Sequence, residues 1–398
     1  MRIAQIANFI GPASGGMKTA VQALGSGYAA AGAERLLVIP GPRDTRTATE
    51  AGDVVQVRSP RVGGGYRVIL EPWRVIETLQ AFGPTSVEVS DKSTLLPVTG
   101  WARRRGVPSL LFSHERLDAM LELRTGWSIG ISPPVDMLNR ALVRHFDGIV
   151  VTSAFARREF HDLAALAGTP VHQVALGVDL ETFHPRAASG ADDGILRLVH
   201  FGRLSREKSP HLAVATAVAL HRRGIAVRLD VYGDGPLRAE LERMGAGAAV
   251  VFHGHVSQPA ALGRAVAAAD VALSPCPGET FGLAVLEALA SGTPVVTADV
   301  GGARELVNAS SGAWAPPEPE ALADAVLRVA ARPMAARRTG ARRRAEEFGW
   351  ARTVDTMLAL HHKISRAPTG VARSSAWPTV PAHTAYTRWS PAVGLPDA

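Results

Sequence analysis

The sequence predicts an α/β protein made of two doubly wound parallel-sheet domains that face each other across a central cleft. Three observations predict it. Short apolar runs bounded by turn residues alternate with segments of helical period, as strand–helix–strand units require. The alternation halts at a small, polar, glycine-containing stretch near residue 190 and then restarts. The chain has 398 residues, too many for one ordinary core.

Taken in order, residues 2–8 read as a buried strand, 11–16 as a glycine-rich turn and 17–31 as a helix that stops at Gly32. Residues 36–39 are the next strand, ended by Pro40-Gly41-Pro42. Residues 86–89, 109–112 and 148–151 are further apolar runs. LGVDLETFHP, residues 176–185, closes a first domain of residues 1–185, and residues 186–194 have linker composition. A second domain, residues 195–349, begins with a strand at 196–201. Strands at 227–232, 249–252, 271–273 and 294–297 follow, then an arginine-rich helix at 337–348. A last amphipathic helix occupies 350–363. Pro368, Pro378, Pro381, Pro391 and Pro396, among many Ser, Thr and Ala, predict a poorly ordered tail over 364–398. Trp377, Tyr386 and Trp389 in that tail read either as a docking element or as unstructured chain.

Lys and Arg number 43 against 36 Asp and Glu, a formal charge of +7. Such an excess suits phosphates, an anionic membrane or nucleic acid, and equally a solvated basic surface. The basic residues are dispersed and no binding motif appears, so nucleic acid is not an expected partner. Cys276 is the single cysteine, which excludes an intramolecular disulfide. MRIAQIANFI lacks the h-region and cleavage site of a signal peptide, and no apolar run approaches membrane-spanning length. A cytoplasmic protein is expected, with any membrane contact peripheral, at the inner face of the plasma membrane. Two basic segments with aromatics, residues 67–73 and 101–105, suit an anionic surface or are solvated helix ends.

Four strings carry candidate chemistry. In SPCPGETFGLAVLEALASGTPVVTADVGGARE, residues 274–305, Glu279 falls on the loop entering a helix expected over 281–290, and Glu287 falls inside it. The N–H groups of Phe281, Gly282 and Leu283 then form a free helix N-terminus that favours negative charge. Glu279 can accept sugar hydroxyls there, or simply stabilise the helix dipole. In HFGRLSREKS, residues 200–209, a strand ends, Gly202 turns, and Arg203 and Lys208 follow. Two cations at a strand's carboxyl end suit a diphosphate, or lie on the surface with Glu207 as local partner. Gly15-Gly16, before the first helix, is neither a dinucleotide fingerprint nor a Walker A loop. It still admits close approach by a phosphate or sugar, or is a plain tight turn. SHERLD, residues 113–118, puts His114 at a strand end, where it can bond a sugar hydroxyl or be structural, with Arg116 and Asp118 as mutual partners. The lone cysteine and scattered histidines give no zinc spacing, so no metal is expected.

Together these strings resemble the family 4 retaining glycosyltransferases over residues 1–363. The resemblance is carried by Gly15-Gly16, LGVDLETFHP, GRLSREK, VYGDGPLR, FHGHV, PGETFGLAVLEALASGTPVV and GGARE, in that order. It implies a GT-B fold of two Rossmann-like domains, with the first binding the acceptor, the second binding a nucleotide sugar, and helix 350–363 crossing back to the first. It also implies site roles. Arg203 and Lys208 hold the donor diphosphate, Glu279 the sugar hydroxyls and Glu287 the ribose. Phe281, Gly282 and Leu283 bind phosphate or sugar, and Gly254, His255 and Val256 border the base. Gly15 and Gly16 close over the diphosphate, and His114 lies near the donor sugar. The family is typically metal-independent, so the resemblance implies no metal and no cofactor beyond the nucleotide-sugar co-substrate. Retention there proceeds by front-face attack, the donor phosphate taking the acceptor's proton.

QIANFIGPASGGMKTAV, VEVSDKSTL and SHERLD are further similar to actinobacterial GDP-mannose-dependent mannosyltransferases that act on phosphatidylinositol mannosides. GDP-mannose is accordingly the expected donor, and a mannosylated phosphoinositide or related lipid or glycan the expected acceptor. The alternatives are a UDP-sugar donor with a natural-product or cell-wall glycan acceptor, and a non-catalytic nucleotide-sugar-binding protein.

Overall fold

The computed structural model describes residues 1–8, 10, 15–62, 66–125, 132–186 and 193–366. The expected tail beyond residue 366, with Trp377, Tyr386 and Trp389, and most of the expected linker lie outside them. The first sheet comprises β1 (Arg2–Ile6), β2 (Glu34–Gly41), β3 (Thr45–Thr49), β4 (Gly52–Arg58), β5 (Ser86–Val89), β6 (Ser109–Ser113), β7 (Gly148–Val151) and β8 (Val171–Gln173). Their order is β3-β4-β2-β1-β5-β6-β7-β8. All pairings are parallel except β3 with β4. The second sheet comprises β9 (Leu196–Phe201), β10 (Val227–Tyr232), β11 (Val250–Gly254), β12 (Val271–Ser274), β13 (Val295–Ala298) and β14 (Gly312–Ala315), ordered β11-β10-β9-β12-β13-β14.

The central strands are apolar on both faces because helices cover both sides. Every residue of β5, β6, β7 and β13 is buried. The strand order reverses between β1 and β5 in one sheet and between β9 and β12 in the other. In doubly wound sheets a ligand crevice opens beyond the carboxyl ends at such a switch point. That rule puts the loops after Ile6, Val89, Phe201 and Ser274 at the functional centre.

The structure adds β3, β4, β8 and β14 to the expected strands. TRTAT in β3 is exposed on an antiparallel edge, so it needs no apolar period. GAWA in β14 is only four residues long, a glycine and two alanines around Trp314, too short to stand out from a loop. Trp101 departs from the expected membrane-facing role. The helix Leu96–Arg104 turns Val98, Thr99, Trp101 and Ala102 inward, leaving Trp101 6% exposed. The arginines of that segment alone face solvent.

The final helix, Trp350–Arg366, runs three residues past the expected start of the tail and returns to the first sheet's side of the molecule. Val354 fills the notch left by Gly27 in the helix Gly16–Ala30. A Cβ on Gly27 would come 2.2 Å from its Cγ2. A buried polar network fixes the far end. Glu88 accepts from Tyr28 Oη at 2.8 Å and from Gln5 Nε2 at 2.9 Å, and pairs with His361 Nε2 at 3.2 Å. The other ring nitrogen of His361 lies 2.7 Å from Ser86 Oγ. Burial alone would raise the Glu88 carboxyl, and its partners, His361 foremost, hold it below its ordinary value.

Candidate active site

The candidate residues gather on loops at the carboxyl ends of the two sheets. From the second sheet, β9 ends at Phe201, and Gly202 turns with φ 146°, a conformation suited to glycine. Arg203 follows, then a single 3₁₀ turn, Arg206–Lys208. From β12, the loop 275–282 leads into the helix Leu283–Ala290, capped by Gly282 at φ 104°. The helix therefore starts two residues later than expected, and Phe281 is a buried loop residue.

Lys208 Nζ donates to Glu279 Oε2 at 2.7 Å, joining the two strongest strings across 71 residues. Burial would lower the Lys208 pKa, but the Glu279 carboxylate overrides that and holds it above its ordinary value. Glu287 sits one helix turn further in, and its carboxyl makes no hydrogen bond among the described residues. Burial pushes it up to about 7. Cys276 lies under this pair and donates from Sγ to Glu207 O at 3.1 Å. Burial first, then Glu279, pushes the thiol up to about 12, so it is not a nucleophile.

Arg203 reaches the first domain. Its Nη2 donates to Tyr66 Oη, and its guanidinium lies 5.3 Å from the centre of that ring. Gly16, at the start of the helix Gly16–Ala30, also faces the second domain. A Cβ there would come 3.2 Å from Leu283 Cδ1. Gly15 has nothing within 4 Å of a Cβ position. Gly278 meets the helix Leu117–Thr125, where a Cβ would lie 2.4 Å from Leu123 Cδ1. Gly16 and Gly278 thus stand where residues of the two domains come into contact.

His114 follows β6. Its ring stacks on Phe112 with centroids 4.3 Å apart, and Nε2 lies 3.1 Å from Ser90 Oγ. Burial pulls its pKa down to about 4, with Lys92 acting in the same direction against Glu88, so the imidazole is neutral near pH 7. It makes no hydrogen bond to Arg203, Lys208 or Glu279. Arg116 does pair with Asp118, at 2.8 Å. Gly254 caps β11 and accepts from Gly233 N–H at 2.8 Å, tying its loop to VYGDG. His255 is exposed and Val256 half-buried.

Four residues that sequence reasoning did not single out also meet here: Tyr66, Ser153, Thr280 and the side chain of Glu305. Only Ser153 carried a local signal, as a serine between a strand and a helix. Among the described residues no group of three or more His, Cys, Asp or Glu side chains is placed to hold a metal. No helix among them is long and apolar enough to cross a membrane.

Two Rossmann-like domains, each with a largely parallel sheet and with carboxyl-end loops that meet, make up the GT-B fold of glycosyltransferases. Two family models match the chain: "Glycosyl transferase 4-like domain" over residues 15–177 and "Glycosyl transferases group 1" over residues 196–332. The chain belongs to this glycosyltransferase family. It is 42% identical over 373 residues to the GDP-mannose-dependent alpha-(1-6)-phosphatidylinositol dimannoside mannosyltransferase of Mycobacterium tuberculosis, covering 90% of this chain and 95% of the relative. A glycogen synthase of the same species is 31% identical over 292 residues, 71% of this chain and 69% of that one. Among solved structures, sucrose-phosphate synthase from Thermosynechococcus elongatus superimposes with a TM-score of 0.75 at 22% identity, covering 91% of this chain and 98% of that one. Anabaena HepE in complex with UDP and glucose gives 0.69 at 17%, covering 90% and 99%. These last two likenesses concern the fold.

Proposed function

We propose that this glycosyltransferase moves mannose from GDP-mannose to a phosphatidylinositol mannoside, with retention at the anomeric carbon and without a metal. The observation that carries this reading is the 42% identity, over nearly the full length of both chains, to a mycobacterial enzyme named for that donor and acceptor. The geometry is compatible with it. Lys208 and Arg203, two cations on the segment after β9, suit a diphosphate and can take up the charge that develops on it. Glu279, released from Lys208 by the incoming phosphate, is then free to accept hydroxyl protons of the sugar. Glu287 offers two oxygens to a ribose.

In the transfer, the bond from the sugar's anomeric carbon to the β-phosphate oxygen breaks and a bond to the acceptor oxygen forms on the same face. The acceptor's proton passes to the departing phosphate oxygen, and GDP leaves. His114 borders this face as a neutral ring, a hydrogen-bonding partner rather than a cation. Turnover of GDP-mannose against UDP-glucose tests the donor. The reading expects GDP release at least about tenfold faster, and a preference for the UDP-sugar refutes it.

A lipid acceptor calls for a place at the membrane surface. Val62, Leu70 and Trp73 are exposed apolar side chains, the last two at 56%, beside Arg61 and Arg67. This reading places the protein at the cytoplasmic face of the membrane, peripherally, with Trp73 and not Trp101 as its aromatic anchor. Flotation with vesicles rich in anionic lipid tests this: binding at low salt, weakened by Trp73→Ala, is expected, and no co-flotation refutes it.

A further inference from the structure

The loop that carries Glu279 is tied to the first domain by contacts outside the donor chemistry. Ser153, 1% exposed, ends the run after β7. Its hydroxyl donates to Thr280 O at 2.5 Å and accepts from Ala156 N–H at 3.0 Å. From the opposite side, Glu305 of the second domain accepts from Ala154 N–H at 2.9 Å and from Phe155 N–H at 2.8 Å. Glu305 belongs to GGARE, whose Gly302 N–H donates to Glu279 O at 2.6 Å.

Two successive carbonyls of the sugar loop are therefore held, one from within its domain and one from across the cleft. The three segments meet only because residue 302 is glycine. A Cβ there would fall 1.9 Å from Thr280 O and 2.9 Å from Ser153 Oγ. Thr280 and Ser153 are both buried, so the contact is shielded from competing water.

We propose that Ser153 and Glu305 are positioning residues for sugar transfer, forming a clasp that locks the loop 277–282 onto the first domain and so presents the Glu279 carboxylate to the donor sugar only when the domains are closed. The inference rests on the reading of Glu279 as the donor-sugar ligand. It does not depend on which base or acceptor is used. Arg203, Lys208 and Glu287 stand on segments other than 277–282, so cutting the clasp leaves these nucleotide ligands in place and bears mainly on the sugar.

The test uses the full chain with Ser153→Ala, Ser153→Thr, Glu305→Gln and the double variant Ser153→Ala/Glu305→Gln. GDP affinity is read by calorimetry and kcat by GDP release. A fall in kcat of roughly tenfold or more in Ser153→Ala and in Glu305→Gln is expected, with the Kd for GDP unchanged within about twofold. Ser153→Thr keeps the hydroxyl and restores kcat. The double variant costs little more than the worse single one, since both cut the same clasp. Proportional loss of kcat, GDP affinity and melting temperature would make the contacts merely structural and overturn the proposal. So would a loss confined to Ser153→Ala, which also removes the bond to Ala156. Hydrogen exchange over residues 277–282 reads the clasp even if no donor turns over, an outcome that would refute the transferase reading alone. Faster exchange in both single variants supports the clasp, and unchanged protection overturns it.

Discussion

Lys208 and Glu279 neutralise each other through a 2.7 Å bond, and under the proposed function each competes with the sugar diphosphate for the other. Replacing Lys208 by Met leaves Glu279 unpaired and removes a cation from the leaving group. Steady-state kinetics of Lys208→Met should show kcat lower by about 10²–10³, the usual scale for removing one such electrostatic contact. Glu287 gives a pH signature. Its folded carboxyl titrates near 7, above its unfolded value. Between those values the folded chain keeps a proton that the unfolded chain has lost, so its contribution to stability falls as pH rises, levelling off above about 7. Urea unfolding at pH 5 and 8 should show this slope in the wild type, and Glu287→Gln should flatten it. In function, the affinity for the nucleotide should strengthen through the same interval as the carboxylate forms. The individual residues were legible in the sequence as chemistry at strand ends, but their partnership was not. Nothing local in GRLSREK or PGETFG says that Lys208 and Glu279 touch, because the fold alone closes the 71 residues between them.

Two elements set the site. The helix Leu283–Ala290 begins at Gly282, whose φ of 104° penalises any side chain, and a Cβ there would also come 3.2 Å from Ala303 Cβ and Val285 Cγ2. Gly282→Ala should cost about 1–3 kcal/mol of stability by denaturant titration and weaken donor binding by displacing the helix start. The helix Trp350–Arg366 joins the two domains through the Glu88–His361 pair, both residues almost wholly buried. His361→Leu strips Glu88 of one partner and should cost about 1–3 kcal/mol, read as a lower urea midpoint. The buried parallel strands could be read from the sequence because two covered faces demand unbroken apolar runs. The hairpin β3–β4 and strand β14 could not, since one is a solvated edge and the other only four residues, a glycine and two alanines around Trp314. His361 was equally hidden, because a histidine on an amphipathic helix looks the same whether it faces water or a buried glutamate.

At the scale of the whole molecule, the chain builds two carboxyl-end crevices and points them at each other. Neither set of loops is complete alone. Gly16 meets Leu283, Arg203 meets Tyr66, and Ser153 meets Thr280. The doubled architecture followed from the restart of the strand–helix alternation near residue 190, and the family followed from the ordered strings. The cross-cleft contacts followed from neither, since they depend on how the two sheets face each other. A ligand that bridges both crevices should bind the folded form alone. Saturating donor nucleotide, at about 100 times its Kd, should therefore stabilise the chain by about 2.7 kcal/mol in thermal or chemical unfolding.

The central claim is transfer of mannose from GDP-mannose under the control of Glu279. The measurement that bears on it most directly is GDP release from GDP-mannose by the wild type and by Glu279→Ala, with and without vesicles containing phosphatidylinositol mannosides. The account predicts release that requires the lipid and is lost in the variant. Lipid-dependent release that persists undiminished in Glu279→Ala, or no release from GDP-mannose under any of these conditions, would contradict it.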